Sequence, residues 1–122
     1  MGKLIMINAQ NHLLILNGEL KKVRTSLLSA LSNSSNLLHH SLVETLKQNN
    51  PEHWLELTDR QLGNEYRSLI IRLEQLEAAV CQVDIGQYGY CCDCEEKIDS
   101  QRLNADPTIQ RCASCESKIK SN

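Results

Sequence analysis

The chain has 122 residues, which is enough for one domain or for a helical body with a small satellite module. It has no Phe, one Trp and three Tyr, so an aromatic core is excluded and Leu, Ile and Val must be buried instead. The formal charge of −2 argues against non-specific nucleic-acid binding, because an acidic chain displaces few phosphate counterions. The longest apolar runs are too short to cross a membrane, and the N-terminus does not resemble a signal peptide. We therefore expect a cytoplasmic protein with reduced cysteines.

The first predicted element is a long amphipathic helix. Its apolar residues are separated by three and four positions in alternation, which is the spacing of a coiled-coil seam: Leu13, Leu16, Leu20, Val23, Leu27 and Ala30. Poor helix formers at 32–36 interrupt the pattern. A second apolar set at 38, 42 and 46 is shifted by about one residue. The sequence predicts a slipped register or a helix break at 32–36.

A second long helix is predicted after a turn near Pro51. Proline suits the first position of a helix, and Asn50 is the expected N-cap. The following seam is regular and runs through Leu62, Tyr66, Leu69, Leu73, Leu76, Val80 and Val83. Gly86 is the expected C′ residue at its end. Two antiparallel helices joined near Pro51 would bury these two seams against each other.

Four cysteines near the end of the chain form two pairs with ligand spacing, Cys91-x2-Cys94 and Cys112-x2-Cys115, with seventeen residues between them. Two such knuckles can place four thiolates at the corners of a tetrahedron, the geometry that Zn²⁺ prefers. The alternatives are two disulfides or unused thiols, and nothing in the chain suggests secretion. We predict one structural zinc ion.

The expected fold is mainly α: an antiparallel helical hairpin, or coiled coil, with a small C-terminal four-cysteine zinc finger. Residues 1–85 form the hairpin, with its tip near residues 48–58. Residues 86–122 form the zinc-finger module, which ends in a short helix from Ala113 to Ser121.

The C-terminal region resembles the DksA/TraR family of bacterial transcription regulators. The resemblance rests on Gly86-x2-Gly89-Tyr90-Cys91-x2-Cys94-x3-Ile98-x3-Arg102-Leu103-x-Ala105-x-Pro107-x4-Cys112-x2-Cys115. Members of that family bind RNA polymerase rather than promoter DNA. Their coiled coil enters the secondary channel, and the tip alters the lifetime of promoter complexes, often together with the alarmone ppGpp. The resemblance implies bacterial RNA polymerase as the partner here and no sequence-specific DNA binding.

The tip departs from the family. Well-studied members carry Asp-x2-Asp-x-Ala, whereas the nearest match here is His53-x2-Glu56-x-Thr58 beside Trp54. The resemblance makes Glu56 and Asp59 the best candidates for contacting the active-centre region of the polymerase. An acidic run of this kind is otherwise an ordinary solvated face. Trp54 either caps the hairpin core or anchors the partner.

Several single residues carry open interpretations. Cys92 is a spare thiol or a redox sensor, and it is a poor ligand because its neighbour Cys91 already points inward. Cys81 is a helix-surface or packing cysteine. Arg102 either bonds a backbone carbonyl or, by resemblance, helps to form a ligand or partner surface. His39, His40 and His53 are expected to be exposed helix residues.

Two other functions remain possible on the sequence. A zinc-ribbon adaptor could bind another protein or nucleic acid, although the charge balance of the finger is not basic, which argues against nucleic acid. A thiol or zinc redox sensor would require reversible oxidation of the knuckles or of Cys92. No phosphate loop, Ser/His/Asp set or catalytic cysteine context is present, so we expect no enzyme.

Overall fold

The computed structural model describes residues 2–58 and 61–120. In chain order the helices are α1 (Gly2–Ser32), α2 (Leu37–Gln48), α3 (Trp54–Thr58), α4 (Arg67–Asp84), α5 (Ser100–Ala105) and α6 (Ala113–Lys120). Two 3₁₀ turns, Pro51–His53 and Asn64–Tyr66, precede α3 and α4. The described residues form no β-strand, and Tyr90 and Lys97 make an isolated antiparallel bridge. The mainly α class is confirmed.

The chain divides into two compact units. One, the helical unit, is Glu19–Glu74, and the other consists of Met1–Gly18 with Gln75–Asn122. The predicted domains, residues 1–85 and 86–122, stay a prediction. Among the described residues, no helix combines the length and the apolar character needed to cross a membrane.

Helix α1 ends at the segment where the sequence predicts either a slipped register or a helix break. Ser32 is its last residue, and α2 begins at Leu37 with Asn36 as the N-cap. The Asn36 side-chain oxygen accepts a hydrogen bond from the N–H of Leu38 at 2.9 Å. Ser34 Oγ accepts from the N–H of Asn36 at 3.1 Å. Side chains that bond the local backbone in this way compete with the helix, which explains why a run of Ser and Asn ends it.

The restart at α2 changes which residues are buried. Leu38, expected on the seam, is 76% exposed, whereas His39, expected to be exposed, is 8% exposed. His39 Nδ1 lies 2.7 Å from Ser34 Oγ and 3.2 Å from the Tyr66 hydroxyl. These two hydroxyl groups satisfy the ring nitrogen, so the imidazole can be buried and the prediction of an exposed His39 is wrong.

The core of the helical unit is built mainly from leucine and valine side chains on three helices. Helix α1 contributes Leu20, Val23, Leu27 and Leu31, α2 contributes Leu42, Val43 and Leu46, and α4 contributes Leu73. Arg72 of α4 also pairs with Glu19 of α1, with its Nη2 2.9 Å from the carboxylate. In the other unit, the His12 ring lies 5.5 Å from the Tyr88 ring. Within each unit, α1 therefore contacts a later segment of the chain.

Helix α4 begins later than its seam pattern suggests. Leu62 lies before the helix, because Gly63 is extended and the chain then makes the 3₁₀ turn Asn64–Tyr66. Glycine is a poor helix former, and this explains the later start. At the other end, Gly86 has φ +75 and the N–H of Gln87 donates to the carbonyl of Gln82 at 2.8 Å. Gly86 is therefore the C′ residue of α4, as predicted.

Candidate metal centre

The first knuckle, Cys91-x2-Cys94, is a tight turn closed by backbone hydrogen bonds. The N–H of Cys91 donates to the carbonyl of Glu96 at 2.7 Å, and the N–H of Glu95 donates to the carbonyl of Cys91 at 2.9 Å. Glu95 has φ +66, in the left-handed region that favours glycine. The reversal directly after Cys94 keeps both thiols of the knuckle on the same side of the turn.

The second knuckle, Cys112-x2-Cys115, opens helix α6. The N–H of Glu116 donates to the carbonyl of Cys112 at 3.0 Å, which forms the first turn. The N–H of Cys115 lies 3.5 Å from the Cys112 sulfur. Backbone N–H groups at the start of a helix favour negative charge, so this position suits a thiolate.

A short segment between the knuckles supports both of them. Its buried residues include Ile98 and Leu103, which are 6% and 7% exposed. The N–H of Ile98 donates to the carbonyl of Gly89 at 2.8 Å, which ties this segment to the start of the finger. The buried Tyr88 hydroxyl donates to the carbonyl of Pro107 at 2.8 Å. These contacts place the second knuckle opposite the first.

The four predicted ligands converge. The Sγ atoms of Cys91, Cys94, Cys112 and Cys115 all lie within 4.8 Å of one another. Cys94 Sγ and Cys112 Sγ are 3.7 Å apart. Sulfur atoms about 2.3 Å from a central Zn²⁺ at the corners of a tetrahedron are about 3.8 Å from each other. The donor set fits the ion, and the cofactor is one structural Zn²⁺.

The surroundings of Cys91 and Cys115 shift the pKa values of their thiols in opposite directions. Backbone N–H groups of Cys112 and Cys94 lower the pKa of Cys91 from 9.0 to about 6. A hydrogen bond to the Cys112 thiol, together with burial, raises the pKa of Cys115 to about 12. Zn²⁺ requires deprotonated sulfur, so its binding displaces protons and weakens as the pH falls.

The two remaining cysteines lie outside the cluster. All six cysteines are free thiols, so the disulfide alternative does not describe this structure. Cys92 is exposed, and its sulfur lies 3.7 Å from the Asp93 carboxylate. Cys81 is exposed on α4. The structure gives neither thiol a place among the four ligands.

Arg102 lies on α5, between the knuckles. Its Nη2 donates to the carbonyl of Arg111 at 3.3 Å, and the side chain is half-buried. Of the two roles that the sequence suggests for Arg102, this contact is the hydrogen bond to a backbone carbonyl. Because Arg111 directly precedes Cys112, the bond also fixes the backbone that leads into the second knuckle.

The candidate tip residues are divided between surface and interior. His53 Nδ1 lies 3.9 Å from the Glu56 carboxylate, and their side chains are 55% and 83% exposed. Trp54 is buried, and its Nε1 donates to the carbonyl of Leu46 at 3.0 Å. Thr58 is buried, and its hydroxyl donates to the carbonyl of Trp54 at 2.8 Å. Asp59 lies outside the described residues.

Sequence reasoning missed one contact between the knuckles. Asp93 lies between the two ligands of the first knuckle, and Arg111 directly precedes the second. Arg111 Nε donates to the Asp93 carboxylate at 2.7 Å. Opposite charges beside ligands of different knuckles are the signal that could have indicated it.

Comparison with known families agrees with this geometry. Residues 86–120 match the family model described as the prokaryotic dksA/traR C4-type zinc finger. No curated protein matches the chain. The matched part is 35 of 122 residues, and it contains all four ligands. Residues 86–120 therefore form a dksA/traR C4-type zinc finger, which confirms the resemblance of this chain to the DksA/TraR family.

Proposed function

We propose that this protein binds bacterial RNA polymerase through its secondary channel and modulates the stability of promoter complexes. The observation that carries the proposal is the dksA/traR-type zinc finger with its four convergent thiols. The resemblance to the DksA/TraR family implies a transcription regulator. The proposed role needs no catalytic group and is exerted in the bacterial cytoplasm, where the polymerase lies.

The length of α1 supports such a role. Helix α1 has 31 residues, which corresponds to about 46 Å at 1.5 Å per residue. A long helix of this kind can follow a channel toward a buried site. A bound protein then shifts the equilibrium between polymerase states if it binds one of them more tightly.

The charge of the finger also favours a protein partner over DNA. Its acids are Asp93, Glu95, Glu96, Asp99, Asp106 and Glu116, and its bases are Lys97, Arg102, Arg111, Lys118 and Lys120. A finger with more acids than bases displaces few counterions from a nucleic acid. We therefore propose no sequence-specific DNA contact.

Within this proposal, Glu56 affects transcription output more than docking. Its side chain is 83% exposed, whereas Trp54 and Thr58 are buried and therefore support the local fold. Glu56→Ala should change promoter-complex lifetime while leaving polymerase affinity within about twofold, as for a surface substitution. Glu44→Ala, an exposed acid on α2, is the control. Equal losses of output and affinity would make Glu56 a docking residue.

The proposal is tested by binding of the zinc-loaded protein to RNA polymerase core enzyme in the presence of a known secondary-channel factor. Mutually exclusive binding is the expected result. Simultaneous binding would place the protein elsewhere on the enzyme. No binding at micromolar concentration would contradict the proposal and favour a zinc-dependent adaptor for another protein. Adding ppGpp to the same assay tests the co-regulator that the resemblance implies.

A further inference from the structure

One ion pair spans the two knuckles beside the metal centre. Arg111 Nε donates to Asp93 Oδ2 at 2.7 Å, with side chains 40% and 43% exposed. Asp93 lies between Cys91 and Cys94, and Arg111 adjoins Cys112. The pair therefore joins the two halves of the ligand set outside the sulfur cluster.

Two further contacts keep the partners of this pair in place. The N–H of Cys92 donates to the carbonyl of Gln110 at 2.8 Å, so the backbone of the first knuckle is bonded to the segment that leads into the second. Arg102 of α5 holds the carbonyl of Arg111 at 3.3 Å. Because the backbone on both sides is already fixed, the ion pair loses less conformational entropy when it forms than a pair on free segments would.

We propose that Asp93 and Arg111 are positioning residues that hold the knuckles closed on the zinc ion and slow its release. Zinc leaves only when thiolates of the two knuckles separate from it. Because the pair spans the knuckles, it must open when they part. The charged groups touch each other rather than the ion, so they act through the geometry of the ligands.

A purely electrostatic effect of the same charges predicts a different outcome. Four thiolates and one Zn²⁺ carry a net charge of −2, so a nearby carboxylate disfavours the loaded site and a nearby guanidinium favours it. On that basis, neutralising Asp93 slows zinc release and neutralising Arg111 speeds it. If the pair holds the knuckles closed, both substitutions speed release. The sign of the Asp93 effect distinguishes the two mechanisms.

The experiment is stopped-flow transfer of zinc from the full chain to an excess of chromogenic chelator. The variants are Asp93→Asn, Arg111→Gln and the double variant. Glu96→Gln, which neutralises an exposed carboxylate near the same knuckle, is the matched control. Each single substitution should speed release about threefold, the scale of one exposed ion pair. The double variant should be no faster than the single variants, because they remove the same contact. Salt should speed release from the unmodified chain and reduce its difference from the variants.

If a single variant binds less than one zinc per chain, the proposal is tested instead with a charge swap, Asp93→Arg with Arg111→Asp. Recovery of slow release in the swapped chain supports the proposal. Slower release from Asp93→Asn, fully additive effects in the double variant, or equal effects of Glu96→Gln and Asp93→Asn would each overturn it.

Discussion

The helical unit Glu19–Glu74 and the zinc finger at residues 86–120 are stabilised in different ways. In the helical unit, Leu27, Leu31, Leu46 and Leu73 are each 0% exposed. Each fully buried leucine contributes about 1.5–3 kcal/mol. In the finger, the buried apolar side chains Tyr88, Ile98 and Leu103 accompany Cys91, which is itself a ligand. The helical unit is therefore stabilised by its apolar core, whereas the finger depends on its metal.

The comparison predicts that loss of zinc affects the two regions unequally. Replacing Cys94 with Ser, or chelating the ion, should unfold the finger, since structural zinc contributes on the order of 10 kcal/mol to modules of this size. Trp54, the single tryptophan, lies in the helical unit and reports on it separately. Near-ultraviolet circular dichroism should lose the signal of Tyr88 and Tyr90, which lie in the finger, and keep that of Tyr66 in the helical unit, while Trp54 fluorescence stays unchanged.

Cys92→Ser is the control for that experiment, because Cys92 is exposed and outside the cluster. It should retain one zinc and an unchanged spectrum. If the finger keeps its tyrosine signal without zinc, its own apolar core is sufficient to keep it folded. That result would contradict the difference in stabilisation between the two regions.

The reverse experiment weakens the helical unit alone. Leu46 is fully buried, and Leu46→Ala should destabilise that unit by about 2–5 kcal/mol through lost burial and a residual cavity. The measurement is urea denaturation followed by Trp54 fluorescence, with Lys47→Ala at the exposed neighbouring position as the control. Zinc content should remain one per chain. A loss of zinc in Leu46→Ala would show that the two regions do not fold independently.

A smaller effect is expected at Tyr88, which joins the start of the finger to Pro107. Tyr88→Phe removes the hydrogen bond to the Pro107 carbonyl and should cost about 1–2 kcal/mol. Burial raises the pKa of Tyr88 from 10.0 to about 12, so the folded state favours the protonated hydroxyl. This contribution is complete below pH 10 and is lost as the pH rises toward 12.

The free energies of unfolding of the zinc-loaded chain and of Tyr88→Phe, measured by thermal denaturation, should therefore differ by a constant amount below pH 10 and converge above it. Tyr90→Phe is the matched aromatic control and is measured at the same pH values. A difference between the chain and Tyr88→Phe that persists to pH 12 would mean that the hydroxyl does not make this contribution.

The smallest expected effect stabilises the finger. Glu95 has a left-handed backbone at φ +66, which costs a non-glycine residue about 1 kcal/mol. Glu95→Gly should raise the denaturation midpoint of the loaded finger, and Glu96→Gly should lower it or leave it unchanged. The measurement is denaturation followed by the tyrosine signal. A lower midpoint for Glu95→Gly would show that its side chain contributes more than the strain removes.

The sequence predicted those features that depend on local chemistry. Cysteine spacing identified all four ligands, because ligand pairs within a knuckle are set by the chain itself. The Ser and Asn run predicted either a slipped register or a helix break, and the structure has the break, since such side chains bond the nearby backbone. Gly86 was identified as the end of α4 because a left-handed residue there favours glycine.

Features that depend on contacts between distant segments were missed. Burial of His39 requires Tyr66, which is 27 positions away, and the seam pattern alone favoured Leu38. The pairing of Asp93 with Arg111 depends on how the two knuckles face each other. Periodicity describes one helix at a time, so it does not identify such partners.

The most direct test of the account is alkylation of the native zinc-loaded chain, with each modified cysteine located by mass spectrometry and zinc counted in the same sample. We expect one zinc per chain, modification of Cys81 and Cys92, and protection of Cys91, Cys94, Cys112 and Cys115. After chelation all six should react. Protection of Cys92, or modification of any of the four ligands while zinc remains bound, would contradict the account.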